Sequence, residues 1–380
     1  MKKFITILLI LSLFMPSICK AKDSKINLVP NSKNAILVEA TTGEVLFNKK
    51  ASEKVSVASL TKMMGLILIF DTIEKGGLSL NDIVTVSENA KGMGGTQLYL
   101  DTGEKISVND LIKGVVMASA NDAMVALAER IAGTEEAFVE MMNKKANELG
   151  LKTTHFENSV GFDHEEHYSS ASDMAKIAME LIKHEKVFEY SGTYESYIRE
   201  NTDNKTWVVN TNKLVRFYEG ADGLKTGWTE NAGSSIAATA KRKDLRLIAI
   251  VLGYEKSNIR NQETMALLDY GFNQYDAKKL YSKGDIVGHT TLDKSSEERI
   301  DLVLDNDIIM INKKIDPPSK YQYDIEITKE SLPIKKGEQV GTFIVKKDGK
   351  VINKTNLISK KDIERIDFFK LYLKTIKDVI

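Results

Sequence analysis

The sequence predicts an α+β domain followed by a small all-β domain. Three observations carry this reading. Two short β-like runs open the chain, a helix-rich stretch follows, and apolar runs of strand character return after Tyr190. Beyond about Leu280 the runs shorten and are punctuated by Pro317-Pro318, Pro333, Gly337, Gly341 and Asp348-Gly349, as turns between strands require.

Residues 34–40 and 44–48 read as a hairpin around Thr41-Thr42-Gly43. From Ser59 the spacing becomes helical, with Leu60, Met63, Met64, Leu66, Ile67 and Phe70 on helical steps until Gly76-Gly77 stops the run. Ser107 supplies a cap for a helix ending near Met117, and residues 122–131 continue the run. Thr134 with Glu135 and Glu136 starts another helix, and Ser170 precedes one over 173–184. Strands follow at 206–210, 223–229, 234–240 and 245–254. The last three read as neighbours in one sheet, which the first hairpin joins, and a helix over 258–274 closes the domain.

The N-terminus reads as a secretory signal over residues 1–21. Met1-Lys2-Lys3 is basic, residues 4–15 are almost unbroken apolar, and Ala21 is the small residue a signal peptidase needs. That apolar run is shorter than the roughly twenty residues a membrane span requires, and Pro16-Ser17-Ile18 is a poor lipoprotein context for Cys19. The expected division is a signal at 1–21, the α+β domain at 22–278, a β domain at 279–358 and a terminal helix at 359–380.

Composition narrows the function. Lys+Arg and Asp+Glu both number 53, so no basic field exists to hold nucleic acid. Removing Lys2, Lys3 and Lys20 with the signal takes away no acid and leaves the formal charge near −3. A single Cys excludes a disulfide framework and any Cys-based zinc site.

Ser59-Leu60-Thr61-Lys62 puts an ammonium one helical turn from a hydroxyl. A lysine held partly neutral by burial or neighbouring charge can act as base to such a serine. Alone, the pair more readily describes a helix cap with a solvated lysine. Ser119-Ala120-Asn121 falls in a short break between helices, where it could face a cleft or simply cap. Lys225-Thr226-Gly227 lies on a strand, with a glycine where a ligand or another backbone can approach.

Together and in this order, Ser59-x-x-Lys62, Ser119-x-Asn121 and Lys225-Thr226-Gly227 match the signature of penicillin-binding proteins and serine β-lactamases. The segments Ala58-Ser59-Leu60-Thr61-Lys62-Met63, Gly94-Gly95-Thr96-Gln97-Leu98-Tyr99-Leu100, Ala118-Ser119-Ala120-Asn121-Asp122-Ala123 and Asp222-Gly223-Leu224-Lys225-Thr226-Gly227-Trp228-Thr229 resemble the low-molecular-mass D-alanyl-D-alanine carboxypeptidases. Pro333-Ile334-Lys335-Lys336-Gly337-Glu338-Gln339-Val340-Gly341 resembles that family's C-terminal β domain.

The resemblance implies a penicillin-binding/β-lactamase-like fold: an antiparallel sheet with helices, then the β domain. It also implies a serine acyltransferase that removes terminal D-alanine from peptidoglycan stem peptides and is inhibited covalently by β-lactams, with no metal or cofactor. Ser59 would be the nucleophile, Lys62 its base and Ser119 a proton relay. Asn121 would bind the substrate amide, Lys225 and Thr226 the substrate carboxylate, and the backbone N–H groups of Ser59 and Trp228, beside Gly227, the oxyanion. Thr96 and Trp228 depart mildly from the family pattern and bear on pocket shape.

Other sites are weaker. His164-Glu165-Glu166-His167 lacks the His spacing of a zinc-protease helix, and no Gly-x-Ser-x-Gly elbow is present. No Glu-x-x-x-Asn stands between residues 149 and 184 to deacylate a β-lactam adduct rapidly. Endopeptidase, β-lactamase and catalytically silent peptidoglycan-binding readings remain alternatives. Finally, Ile363, Ile366, Phe369, Leu373, Ile376 and Ile380 recur at three- and four-residue steps, with Lys370, Lys374 and Lys377 opposite. This predicts an amphipathic helix over 362–380, which periodicity alone would equally allow to pack on the β domain; the resemblance implies a peripheral contact with the outer face of the cytoplasmic membrane.

Overall fold

The computed structural model describes residues 27–316 and 320–367. The expected signal at 1–21 and residues 368–380 of the expected terminal helix lie outside them.

The hairpin forms as the sequence pattern requires, from β1 (Asn34–Glu39) and β2 (Val45–Lys49). Four helices matter for the site: α1 (Lys62–Glu74), α2 (Asn121–Ala132), α3 (Glu135–Glu148) and α4 (Ala171–Leu181). Every residue from Lys62 to Phe70 in α1 is buried, so this helix is apolar all round and runs through the helical layer rather than over it. Thr134 caps α3 by accepting from the Ala137 N–H at 3.2 Å, and Ser170 caps α4 by accepting from Asp173 N–H at 3.1 Å. Each such cap stabilises by about 1 kcal/mol.

The chain then returns through β3 (Ala221–Thr229), β4 (Gly233–Arg242) and β5 (Leu245–Tyr254) before α5 (Ser257–Gln274). The antiparallel sheet has the order β2-β1-β5-β4-β3, so the hairpin joins the later strands and β3 is an edge. Ile248, Ile250 and Leu252 of β5 pack towards the helical layer, while Leu247, Ala249 and Val251 pack with α5 on the other face. Burial on both faces is why this strand is apolar throughout.

The second domain begins without a linker. β6 (Tyr275–Tyr281) follows Gln274 directly and pairs with β9 (Ile308–Lys313). The remaining strands are β7 (Ile286–Thr290), β8 (Ile300–Leu304), β10 (Tyr321–Ile327), β11 (Gln339–Lys347) and β12 (Lys350–Ser359), in a sheet of order β7-β8-β12-β11-β10. Alternation along β9 joins the domains: Ile309 and Ile311 enter the core beneath α5, whereas Ile308 and Met310 enter the β-domain core. The expected boundary at 278/279 therefore falls inside a strand.

Residues 361–367 correct the expected terminal helix where they are described. Ile363 is fully buried in the β-domain core, and its N–H and C=O both bond Ile334, at 2.8 and 2.9 Å. The Ile366 N–H donates to Lys294 C=O at 2.8 Å. A three-residue apolar spacing suits a helix, but here strand-like pairing satisfies the backbone and buries the same side chain. The β domain thus runs past 358.

Candidate active site

Ala58–Thr61 is a tight 3-10 turn that passes directly into α1, so Ser59 precedes the regular helix instead of opening it. Ala58 adopts φ 48°, a left-handed conformation costly for a residue with a Cβ, immediately before the serine. Gly161, at φ +90°, lies so close that an added Cβ would stand 2.0 Å from the Ala58 oxygen. On the other side a Cβ on Gly227 would meet the Ser59 nitrogen at 3.0 Å. The turn is clamped between a loop and the edge strand β3.

Lys62 is fully buried. Its Nζ lies 3.0 Å from Ser59 Oγ, 2.7 Å from Asn121 Oδ1 and 2.7 Å from the Val160 carbonyl oxygen. An ammonium would donate three hydrogen bonds here. A neutral amine has two N–H groups and one lone pair. The Asn121 and Val160 oxygens can only accept, so the lone pair of neutral Lys62 is left facing the Ser59 hydroxyl. Burial is the main cause holding the Lys62 pKa well below the ordinary lysine range; the charge of Lys225 lowers it further, and Asp122 and Glu135 oppose the shift.

Ser119 has φ 67° and ends the five-residue π turn Gly114–Ala118, where the chain bends into α2. It is 7% exposed, and its hydroxyl makes no hydrogen bond to a described residue. Asn121, at the first position of α2, donates through Nδ2 to Gly94 C=O at 2.7 Å. The next residue fastens the cleft wall. Buried Asp122 accepts from the N–H groups of Leu98 at 2.9 Å and Leu100 at 3.1 Å. This holds the loop bearing Thr96, Gln97 and Tyr99 across from β3.

Lys225 is as buried as Lys62 but has different company. Its Nζ donates to the Thr226 carbonyl at 2.9 Å, and Thr226 Oγ1 donates to Thr211 Oγ1 at 2.8 Å. Burial, then the nearby Arg260 guanidinium, push the Lys225 pKa down to about 7. Arg260 reaches in from α5 and donates to Ser234 Oγ at 2.9 Å and Ser235 C=O at 3.1 Å.

A cleft of about 650 Å³ opens over Ser59. Gly95, Thr96, Gln97 and Tyr99 form one wall, Trp228, Thr229 and Glu230 the other, with Asn121, Val160, Gly161 and Phe162 between them. Ser59, Lys62 and Asn121 are thus directly connected, and Trp228 faces the same cleft. Lys225 acts on Lys62 through its charge, and no hydrogen bond joins it to the nucleophile.

The loop contribution is invisible in the motifs. Asn158 Oδ1 accepts from the N–H groups of Gly161 at 2.7 Å and Phe162 at 2.9 Å, folding the loop so that the Val160 carbonyl meets Lys62. The Asn158-to-Gly161 spacing is the signal that could have flagged it. His167 belongs to the scaffold: Glu157 N–H donates to Nδ1 at 3.1 Å, leaving Nε2–H to donate to Thr61 Oγ1 at 2.8 Å. Burial pushes its pKa down to about 4, consistent with a neutral ring.

The model of the family described as D-alanyl-D-alanine carboxypeptidase matches residues 21–256. The chain belongs to this family. The model for the penicillin-binding protein 5 C-terminal domain matches residues 275–365, which include the buried Ile363. The D-alanyl-D-alanine carboxypeptidase DacF of Bacillus subtilis is 41% identical over 100% of this chain and 99% of its own length. The carboxypeptidase DacC of Escherichia coli is 32% identical over 94% of this chain and 91% of its own. Penicillin binding protein 5 from Haemophilus influenzae has a similar structure, with a TM-score of 0.70 at 29% identity, covering 88% of this chain and 98% of that one. Penicillin-binding protein D2 from Listeria monocytogenes, solved in an ampicillin-bound form, has a TM-score of 0.58 at 30% identity over 64% of this chain and 98% of its own. As a member of the carboxypeptidase family, this protein is a serine D-Ala-D-Ala carboxypeptidase and a penicillin-binding protein, and its homologues work outside the cytoplasm.

Proposed function

We propose that Ser59 attacks the carbonyl of the penultimate D-alanine in a stem peptide, with neutral Lys62 taking its proton. The single observation that carries this is the pair of fixed acceptors, Asn121 Oδ1 and Val160 O, that leaves the Lys62 lone pair for the serine hydroxyl. The new ester joins Ser59 Oγ to the acyl carbon, and the C–N bond to the terminal D-alanine breaks. Ser119 passes a proton to that leaving amine. Water then hydrolyses the ester, restoring the serine hydroxyl and releasing a carboxylate one residue shorter. Oxyanion stabilisation falls to the backbone N–H groups of Ser59 and Trp228, a reading supported by the close approach of Gly227 to the Ser59 nitrogen.

Lys225 and the Thr226 hydroxyl bind the terminal carboxylate, and Asn121 binds the substrate amide. With the carboxylate at Lys225 and Thr226 and the scissile carbonyl at Trp228, the substrate lies antiparallel along the open edge of β3. β-Lactams acylate Ser59 as covalent inhibitors. We assign the protein to the outer face of the cytoplasmic membrane, with residues 1–21 as its export signal. Peripheral membrane contact, first expected over 362–380, is kept for 368–380, since 361–367 pack on the β domain.

Mass spectrometry of purified protein incubated with a disaccharide pentapeptide and with a crosslinked dimer tests this. Loss of one D-alanine from the pentapeptide, with the crosslink intact, is the expected result. Cleavage of the crosslink alone would make the enzyme an endopeptidase.

A further inference from the structure

We propose that Glu230 selects stem peptides by the side-chain amine of the diamino acid preceding the two D-alanines; this deepens, and rests on, the carboxypeptidase reading. A substrate antiparallel to β3, with its carboxylate at Lys225 and Thr226, runs its N-terminal part past Trp228 towards Thr229 and Glu230. All three residues line the cleft with Ser59. At about 650 Å³ the cleft falls within the range of about 300–1,000 Å³ of small-ligand sites, roomier than an acyl-D-alanine needs.

The chemistry at this end is an apolar surface finished by one negative charge. Trp228 is 67% exposed and Phe162 40% exposed, both large apolar side chains left facing solvent. Glu230 opens the hairpin turn that follows β3, two residues beyond Trp228, and lines the same cleft. Two carboxylates stand nearby, but only one is uncommitted. Asp163 Oδ1 accepts from Ser56 Oγ at 2.7 Å and from Thr229 Oγ1 at 2.8 Å, tying its loop to β3. Glu230 is exposed and has no hydrogen bond or ion pair with any described residue.

Reach also agrees. From Gly227, beside the nucleophile, to Glu230 is three residues, at most about 10 Å. The diamino residue lies one residue, about 3.3 Å, from the scissile one, and its extended side chain adds about 6 Å. Its methylenes then lie along Trp228 while the ammonium meets the Glu230 carboxylate.

The test compares kcat/KM for Nα-acetyl-L-lysyl-D-Ala-D-Ala and Nα-acetyl-L-norleucyl-D-Ala-D-Ala, which share an apolar stem and differ in the terminal charge. At low ionic strength the wild type should favour the lysyl peptide roughly three- to fivefold, the scale of an exposed ion pair. That ratio should fall to about one in Glu230→Gln and below one in Glu230→Lys, and should shrink in high salt for the wild type. A wild-type ratio of one, or one unchanged in both variants, overturns the subsite alone. Failure of the wild type to hydrolyse either peptide overturns the carboxypeptidase reading and the subsite with it.

Discussion

Lys62 and Lys225 are the same residue type, equally buried and electrostatically coupled, yet their surroundings differ in kind. Lys62 meets three oxygens, two of which can only accept, and feels the carboxylates of Asp122 and Glu135. Lys225 has one carbonyl for a partner and a guanidinium for a neighbour. The first site completes the hydrogen bonds of a neutral amine against a hydroxyl. The second leaves a cation short of an anion, which a substrate carboxylate supplies. Burial alone therefore does not assign a lysine its chemistry; the donors and acceptors around it do.

Substitutions that keep charge but remove basicity should separate the two. Lys62→Arg should lose acylation by penicillin by about 10⁴-fold, because a guanidinium stays protonated at any working pH. Stopped-flow acylation with intact-mass detection reads this, and a loss of less than tenfold would remove Lys62 as the base. Next in size is Gly161→Ala. Its Cβ would stand 2.0 Å from the Ala58 oxygen, so the loop must retreat and carry the Val160 carbonyl away from Lys62. A displacement near 1 Å should cost about 10²-fold in kcat, whereas an unchanged kcat would show that the loop does not orient the base.

The smallest effect belongs to Lys225→Arg, which preserves the positive charge. Acylation should persist while KM for a D-Ala-D-Ala peptide rises about tenfold, from the altered geometry of carboxylate recognition. Equal acylation losses in the two lysine variants would erase the distinction.

The sequence made the side-chain half of this comparison readable. Ser59, Lys62, Ser119, Asn121 and Lys225 could be named because their side chains carry the chemistry, and the hairpin could be joined to the later strands because strand-like runs both precede and follow the helices. The acceptor that distinguishes Lys62 was not readable, since Val160 contributes only its carbonyl and every residue has one. The 275 boundary was hidden because α5 runs into β6 without turn residues to announce it. At Ile363 the local apolar spacing pointed to a helix, and pairing with a residue 29 positions earlier, Ile334, overrode it. At Val160 and at Ile334 the deciding partner was distant in sequence and offered backbone rather than a side chain.

The two lysines also predict the two limbs of a pH profile. In the free enzyme Lys62 must be neutral, so kcat/KM falls as pH drops below its depressed pKa. Lys225 must be charged, so kcat/KM falls as pH rises through about 7. The most direct test is the pH dependence of kcat/KM for a D-Ala-D-Ala peptide in the wild type and in Lys225→Arg. The account predicts a bell for the wild type. In the arginine variant the acid limb should stay and the alkaline limb should disappear, because the guanidinium remains charged. An alkaline limb unchanged in Lys225→Arg would contradict the assignment of the two roles.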